Sequence, residues 1–590
     1  MSVLASLVDA YERLETRDEV PPYGFSSEKI GFLIPLREDG TPCPPIDLRV
    51  GEGKKRQAPT MRVPQPSKRT SGVAPTTFWD KTSYALGVTA GEGRRTAEEH
   101  AAFRGRHLAL FAETDDAGLL ALRRFLEAWR PEDFARLGWP EEMKDQNVVF
   151  ALESERIGPK STTICVHDRP AAKALWARIA TEGEKTFSAC LVTGEHGPVA
   201  RLHPAIKGVW GAQSSGASLV SFNLDAFTSY GHEQGDNAPV SEAAAFAYTS
   251  ALNRFLERDS GHRIQIGDAS TVFWADARDA EAATEAEDLF AEMLGETRID
   301  EKTEAKKVGA ILKALRAGRP LADIRPALPE GVRFHVLGLA PNAARLSVRF
   351  YLEDDFGVIG SRWLAHLERM RIEPPPKDPL PSMWRLLIET AALRKSENIA
   401  PNLAGEWLRA ILSGTHYPLT LMSSLITRMR ADHDVDAHRV GILKSVLLEN
   451  FGKEVPVALD INERDSGYLL GRLFAAYEYA QTQALPSLNA TIRDKYYGTA
   501  SASPRAVFPL LQRSATHHLA KLRKEKPGLA TVLDRRIGEI FDVADPRALF
   551  VPTLNAARQS MFAVGYYHQK NDFYRPRSDA SAAPAAQETL

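Results

Sequence analysis

The residues best suited to hold a metal lie in one decapeptide, residues 431–440, "ADHDVDAHRV". His433 and Asp434 are adjacent, as in hydrolases that bind metal through a His-Asp pair, and His438 follows about one turn later. With ligands from other segments they would hold a divalent ion. The same residues also read as a charged helix start, in which Asp432, Asp434 and Asp436 oppose the macrodipole. His517 and His518 lie in a basic helical stretch where neighbouring side chains point about 100° apart, so they cannot chelate one ion as an i, i+4 pair would. One is expected to face a core and the other solvent. A phosphate-cradling G-x-x-x-x-G-K-[ST] loop is absent. Gly51-Glu52-Gly53 and Gly91-Glu92-Gly93 lack the third glycine of a dinucleotide loop and read as surface loops. Gln213-Ser214-Ser215-Gly216 comes nearest to a nucleophile elbow but lacks its G-x-S-x-G spacing. Cys43, Cys165 and Cys190 form no C-x-x-C pair, which excludes a thiolate zinc site of usual spacing and a disulfide framework, and fits a reducing, cytoplasmic setting.

The elements that position such residues fall into two styles. Pro and Gly punctuate the first 380 residues, and between them Lys29–Leu36, Asn147–Leu152, Phe187–Thr193, Ser218–Asn223 and Ile264–Ala275 read as strands. The clearest hairpin is Phe334–Tyr351, where Leu346, Val348 and Phe350 alternate with polar residues beyond an Ala-Pro-Asn-Ala connection. Ser241–Arg258 and Asp276–Leu294 read as helices packed on the sheets. The prolines of Glu373–Pro381 forbid continued helix or sheet and are read as a linker. Beyond it apolar residues recur at helical spacing: Trp384, Leu387, Ile388, Ala391; Val440, Leu443, Val446, Leu447; Leu469, Leu470, Leu473, Phe474, Tyr477; Phe508, Leu511, Ala515, Leu519, Leu522. The expected architecture is an α+β N-terminal part with antiparallel sheets over 1–375, an all-α helical bundle over 382–577 and a disordered tail over 578–590.

At 590 residues, 44% apolar and 25% charged, the chain is long enough for several cores. Its 74 Lys+Arg against 76 Asp+Glu argue against an indiscriminate nucleic-acid coat. The distribution is uneven. Eleven acidic and three basic residues crowd Asp276–Glu304, a run that reads as a solvated helix, and the rest of the chain is net +6. Ser501–Arg577 carries thirteen basic and six acidic residues. Asp9, Glu12, Arg13 and Glu15 rule out a signal peptide in the first fifteen residues, and no apolar run nears the ~18 residues of a membrane span.

Three segments suit a polynucleotide. Arg49–Arg69 holds seven basic residues, and Lys54, Lys55, Arg56, Lys68 and Arg69 would either sit in a disordered loop or grip phosphates through counterion release. In "APTTFWDKTSYALG" Phe78 and Trp79 anchor a core, leaving Thr76, Thr77, Lys81, Thr82 and Ser83 to face outward. In "LHPAIKGVWGAQSSGASLVSFN" Lys207, Gln213, Ser214 and Ser215 stand among glycines that permit close backbone approach, and the segment reads either as a groove-entering loop or as a tight turn between Trp210 and Leu219.

Five strings, "SGVAPTTFWDKTSYALG", "RLHPAIKGVWGAQSSGASLVSFNLDAFTSYG" with "GDNAPVSEAAAFAYTSALN", "VLGLAPNAARLSVRF", "LNATIRDKYYGTASASP" and "FAVGYYHQK", occur in one order along nearly the whole chain. Together they closely resemble the large subunit of type I-C CRISPR interference complexes, the Cascade protein that reads the protospacer-adjacent motif. The resemblance implies a cytoplasmic, non-catalytic DNA reader that needs no cofactor and no membrane. Its partners would be the crRNA-bearing backbone, target duplex DNA with its displaced strand, and a separate helicase-nuclease. Within that function the chemistry of the loops makes Thr76, Thr77, Lys81, Lys207, Gln213, Ser214 and Ser215 the candidates for motif and fork contacts, with Gln213, among flexible glycines and compact polar groups, the best candidate for the wedge. The displaced strand would follow Arg493, Lys495, Arg513, Lys521, Arg523 and Lys524 on the helical part. The resemblance also implies a small subunit made from an internal start in the same gene. No methionine separates Met429 from Met561, so that product would begin at Met422 or Met429, or at a non-AUG codon near Val455, Val457 or Leu459. Two readings of other classes stand beside this one: a metal-dependent nuclease or phosphohydrolase centred on His433 and Asp434, and a structural scaffold that never touches bases.

Overall fold

The computed structural model describes residues 2–51, 56–66, 72–155, 164–181, 185–258, 260–277, 280–295, 331–378 and 380–575. The chain divides into two compact units, Met1–Ala205 with Val220–Arg254, and Ile206–Leu219 with Phe255–Leu590.

The first unit is built on a four-stranded sheet of order β3-β2-β6-β5, made of β2 (Phe32–Leu36), β3 (Ile46–Asp47), β5 (Asp80–Lys81) and β6 (Asn147–Leu152). β2 and β6 run parallel and the outer pairs antiparallel. Every residue of β2 is buried because both faces are covered, which is why Phe-Leu-Ile-Pro-Leu shows no alternation. Phe32, Ile34 and Phe150 face the helices Thr96–Leu110 and Ala117–Ala128 through Phe103, Leu122 and Phe125. Leu33, Val149 and Ala151 face a smaller core with Val63 and Cys165. The strand expected over Lys29–Leu36 breaks at Ile30–Gly31: β2 takes its larger part, and Lys29 instead ends β1 (Phe25–Lys29), which pairs with β4 (Thr60–Pro64) in a separate sheet. The expected Phe187–Thr193 strand shortens to β7 (Phe187–Ala189), paired with β8 (His196–Pro198). The helix Glu242–Phe255 meets the helix Val3–Thr16 edge to face, through Phe246 and Tyr11.

The second unit holds an antiparallel sheet of order β12-β11-β10-β9. The run expected as one strand over Ile264–Ala275 is a hairpin, β9 (Arg263–Ile266) and β10 (Ala269–Asp276), turning at Gly267-Asp268 with Gly267 at φ +61°. Gly-Asp between apolar runs is a two-residue turn signal. β11 (Arg333–Asn342) and β12 (Arg345–Asp355) form the long hairpin, and the pairing runs through Pro341 to Asn342↔Arg345, so the turn is Ala343-Ala344. The acidic helix Ala280–Leu294 is packed on one side: Ala283, Ala286, Phe290, Met293 and Leu294 join the core beneath the sheet. Of the strand expected over Ser218–Asn223, only a bridge from Ser218 to Arg345 forms.

Helices succeed one another from Met383 to Phe573, so the α+β front followed by helices is observed. One core runs from Ile266 through Trp363 and Trp407 to Tyr567, shared by the β9–β12 sheet and the helices. The proline-rich stretch lies inside this unit. Ile372 is buried, the Glu373 N–H donates to the Val457 carbonyl (2.8 Å) and the Tyr567 hydroxyl to the Pro374 carbonyl (2.6 Å). The tail at 578–590 lies outside the described residues.

The tightest packing joins the helices Ser466–Ala484 and Ala556–Phe573. A Cβ on Gly471 would lie 2.1 Å from the Phe562 carbonyl oxygen, one on Gly565 2.1 Å from that of Tyr468, and one on Gly467 2.2 Å from that of Arg558. Glycines on both helices thus let the two backbones touch. Asp465 caps the first helix by accepting from the Tyr468 N–H (3.1 Å), and Asn555 caps the second through the Arg558 N–H (3.0 Å).

Candidate nucleic-acid interface

In the first unit, Phe78 and Trp79 enter the two cores on opposite faces of the sheet, both almost wholly buried. Phe78 takes a left-handed φ of +70° to do so. Its N–H donates to His107 Nε2 (2.8 Å), while His107 Nδ1–H donates to the Phe103 carbonyl (2.7 Å). The Trp79 indole donates to the Pro64 carbonyl (2.8 Å). Thr76 and Thr77 do not face outward as expected. Both are buried: the Thr76 N–H donates to Asp80 Oδ2 (2.9 Å) and its hydroxyl to the Trp79 carbonyl, and Thr77 Oγ1 accepts from Arg106 (3.1 Å). Two apolar anchors pull the loop inward, so its threonines find their partners inside the fold, in Asp80, the Trp79 carbonyl and Arg106. Thr82 is also buried, accepting from the Asp145 N–H (2.7 Å).

Lys81 is exposed at the end of edge strand β5. It lines an open cleft of about 610 Å³ with Ser83, Thr89, Arg94, Arg95, Thr96, Glu99 and Asp145. Arg94 and Arg95 are exposed and precede the helix Thr96–Leu110, although Arg94 also pairs with Glu92 (2.8 Å). Sequence reading passed over both arginines because Gly91-Glu92-Gly93 was weighed only as an incomplete dinucleotide loop. The adjacent Arg-Arg before an uncapped helix start was the available signal. Asp145 is occupied by the Thr89 hydroxyl (2.6 Å) and the Ala90 N–H (3.1 Å).

Burial pushes the His107 pKa down from 6.5 to about 4, with Arg106 adding to the effect against the Phe103 carbonyl. Between those values the unfolded chain takes up a proton that the folded chain refuses, so the stabilisation is complete above pH 6.5 and is lost as pH falls through about 4. Urea melts should show unfolding free energy dropping across this window, and the drop should be smaller in His107→Gln. An identical pH profile in the variant would free His107 from this role.

In the second unit, Lys207, Gln213, Ser214 and Ser215 are all exposed on one loop. Ile206 and Ala217 exchange both backbone hydrogen bonds (2.9 Å each), the Gly216 N–H donates to the Gln213 carbonyl (2.9 Å), and the Leu346 N–H donates to the Ser218 carbonyl (2.9 Å). The loop is therefore both a tight turn and an exposed polar tip, with its feet on the sheet. Thr76, Thr77 and Lys81 belong to one unit and this loop to the other.

Of the proposed phosphate-gripping residues, Arg56 is taken up by Asp47 (2.8 Å). Lys54, Lys55, Lys68 and Arg69 lie outside the described residues. Lys495, Arg513, Lys521 and Lys524 are exposed, and Arg513, His517 and Lys524 share one face of the helix Pro504–Glu525. Arg523 is exposed but pairs with Asp534, and Lys521 lies 3.8 Å from Glu525. Arg493 turns partly inward, 3.8 Å from Glu478 and 3.6 Å from Asp494. His517 is exposed and His518 half-buried.

Among the described residues, His433 and Asp434 do not come together with further ligand atoms in one cluster. His433 ends the helix Leu419–Asp432 in a left-handed conformation, and Asp434 accepts from Arg394 (2.8 Å). The donor atoms that converge within 4.8 Å here belong to Glu389, Asp436 and His438. Glu389 already accepts from Arg385 (2.6 Å), Arg394 (2.9 Å) and Arg439 (3.2 Å), and Asp436 accepts from Arg394. Guanidinium groups supply the positive charge that an ion would bring. Cys165, His167 and Asp168 form a second such group in the first unit. Burial, then Asp168, pushes the Cys165 thiol up to about 12.

No helix among the described residues is long and apolar enough to cross a membrane. No curated protein matches the chain. The family model for the CRISPR-associated protein Cas_Csd1 matches residues 7–574, a span that takes in the Lys81 cleft, the Gln213 loop and the helices from Met383 to Phe573. By that nearly complete match, the chain belongs to the Cas_Csd1 family of CRISPR-associated proteins.

Proposed function

We propose that the chain is the non-catalytic large subunit of a type I-C surveillance complex: it recognises the protospacer-adjacent motif in duplex DNA, opens the strands and favours R-loop formation. The observation that carries this reading is the Lys81 cleft. A cation at a sheet edge, two more before a helix start and hydroxyls between them suit the phosphates and base edges of a duplex, and buried Phe78 and Trp79 hold the loop in register. Target sequence is then read by guide–target pairing, as in other RNA-guided systems, and a near-neutral protein held by its partners needs only local cationic surfaces. Lys495, Arg513, Lys521 and Lys524 offer the displaced strand charge without base preference. The nuclease would be a separate recruited protein, and the site is cytoplasmic, beside the crRNA-bearing backbone. The small subunit comes from an internal start ahead of Ser466, which keeps both partners of the glycine-lined helix pair in the shorter product.

A motif-library binding assay on the assembled complex, with and without this chain, tests the reading. Motif preference should vanish without the chain. Within that assay Gln213→Ala should weaken opening of duplex targets while sparing a pre-opened bubble. Equal loss on both substrates would remove Gln213 as the wedge, and motif preference surviving without the chain would leave only the scaffold role.

A further inference from the structure

Trp210 is the one exposed tryptophan of the nine in the chain, with 68% of its surface open to solvent. Its exposure is imposed by the backbone. The Trp210 N–H donates to Ser270 Oγ (2.9 Å) in β10, and the Gly208 carbonyl accepts from Arg263 (2.7 Å) in β9. Between them Val209 is buried, a peg that fixes the segment on the sheet. Gly208 and Gly211 both take left-handed φ values, +85° and +75°, and a Cβ on Gly208 would lie 2.7 Å from the Leu256 carbonyl oxygen. The Ala212 N–H closes back onto the Val209 carbonyl (3.1 Å). The chain thus enters and leaves Trp210 through two conformations that favour glycine, and the ring is held out rather than left loose.

A large ring kept in water at a fixed place calls for an occupant, and the loop's composition narrows the choice. Its apolar residues Ile206, Val209 and Ala217 are buried, so no exposed apolar neighbour within the loop extends the ring into a protein-docking patch. The exposed neighbours are Lys207, Gln213, Ser214 and Ser215. A π face beside a cation, an amide and hydroxyls is the chemistry of a site for unpaired nucleotides, where stacking holds the base and charge holds the backbone. We infer that Trp210 is a stacking platform for an unpaired nucleobase. This rests on the motif-reading, strand-opening function proposed above and adds a second part to it: Gln213 keeps the strands apart, and Trp210 caps the base so exposed, with Lys207 near its phosphate.

The test uses the complex reconstituted with wild-type chain, Trp210→Ala or Trp210→Phe, on target duplexes carrying 2-aminopurine in turn at each position beside the motif. In the wild type, one position should be quenched relative to its neighbours in the opened target. Trp210→Ala should abolish that quenching and weaken target binding about 5- to 150-fold, the range for one lost stacked base. Trp210→Phe should retain most of both. The ranking of motifs in the library should stay unchanged in every variant. If Trp210→Ala leaves quenching and affinity as they were while motif preference persists, the stacking inference fails and the motif-reading function stands. Loss of complex assembly in the absence of DNA would instead place the ring on a protein partner and overturn the inference. Absence of motif preference in the wild-type complex would overturn the function beneath it.

Discussion

Gly471→Ala should lower the unfolding free energy of the protein by about 3 kcal/mol, the upper end of what overpacking costs. The added carbon would stand 2.1 Å from the Phe562 carbonyl oxygen and 2.7 Å from the Tyr566 amide nitrogen, both of them backbone atoms that cannot rotate aside. Relief requires the helix Ala556–Phe573 to move away, and with it Phe562 and Tyr566, which pack on Phe474. Helix propensity works in the opposite direction, since alanine in place of glycine in a helix interior gains about 1 kcal/mol. Gly538→Ala isolates that gain, because nothing lies within 4 Å of a Cβ there. Urea melts of the two variants should therefore shift in opposite directions. A shared shift towards stability would mean that the two helices are not in backbone contact.

The second large effect is expected at the cleft of the first unit. Replacing Lys81, Arg94 and Arg95 together by alanine should weaken binding of motif-bearing duplex by the assembled complex about 100-fold, taking ~1 kcal/mol for each of three lost cationic contacts. The slope of log affinity against log salt should flatten by about one unit for each phosphate contact removed. Lys81→Ala by itself, assayed on all motif variants, distinguishes a base contact, which relaxes preference at one position, from a phosphate contact, which weakens all sequences alike. Unchanged affinity and slope in the triple variant would remove the cleft from the DNA path.

The helical half was legible in the sequence because its signal is local and repeated. Val440, Leu443, Val446 and Leu447 recur at helical spacing, and all four are fully buried. The strand breaks at Ile30–Gly31 and Gly267-Asp268 were harder to see, because an apolar run looks the same whether it continues straight or folds back. Only the placement of a single glycine records the turn. At the cleft, Lys81 could be picked out beside the anchoring Phe-Trp pair, while Thr76 and Thr77 were read as outward-facing because their acceptors and donors, Asp80, Trp79 and Arg106, are supplied by the fold. Arg94 and Arg95 were missed for a related reason: they lie well after Lys81 in sequence and join it only through the turn that precedes the helix Thr96–Leu110. The acidic residues at 432–436 drew attention as ligands because their arginine partners, Arg394 above all, come from a distant segment.

The glycine-lined crossing also bears on how the protein is synthesised. The helix Ser466–Ala484 leaves the ribosome well before its closest neighbour, Ala556–Phe573. Tyr468 and Tyr566 are separated by about a hundred residues, so at ~5–20 residues per second the earlier helix waits roughly 5–20 seconds for the later one. During that interval Leu469, Leu473 and Phe474, fully buried in the finished molecule, lack the wall made by Met561, Phe562 and Tyr566. Until Ala556–Phe573 has emerged, the second unit cannot close its core. A nascent chain stalled before residue 556 presents an apolar trough, and aggregation or chaperone capture should be concentrated at this stage of synthesis.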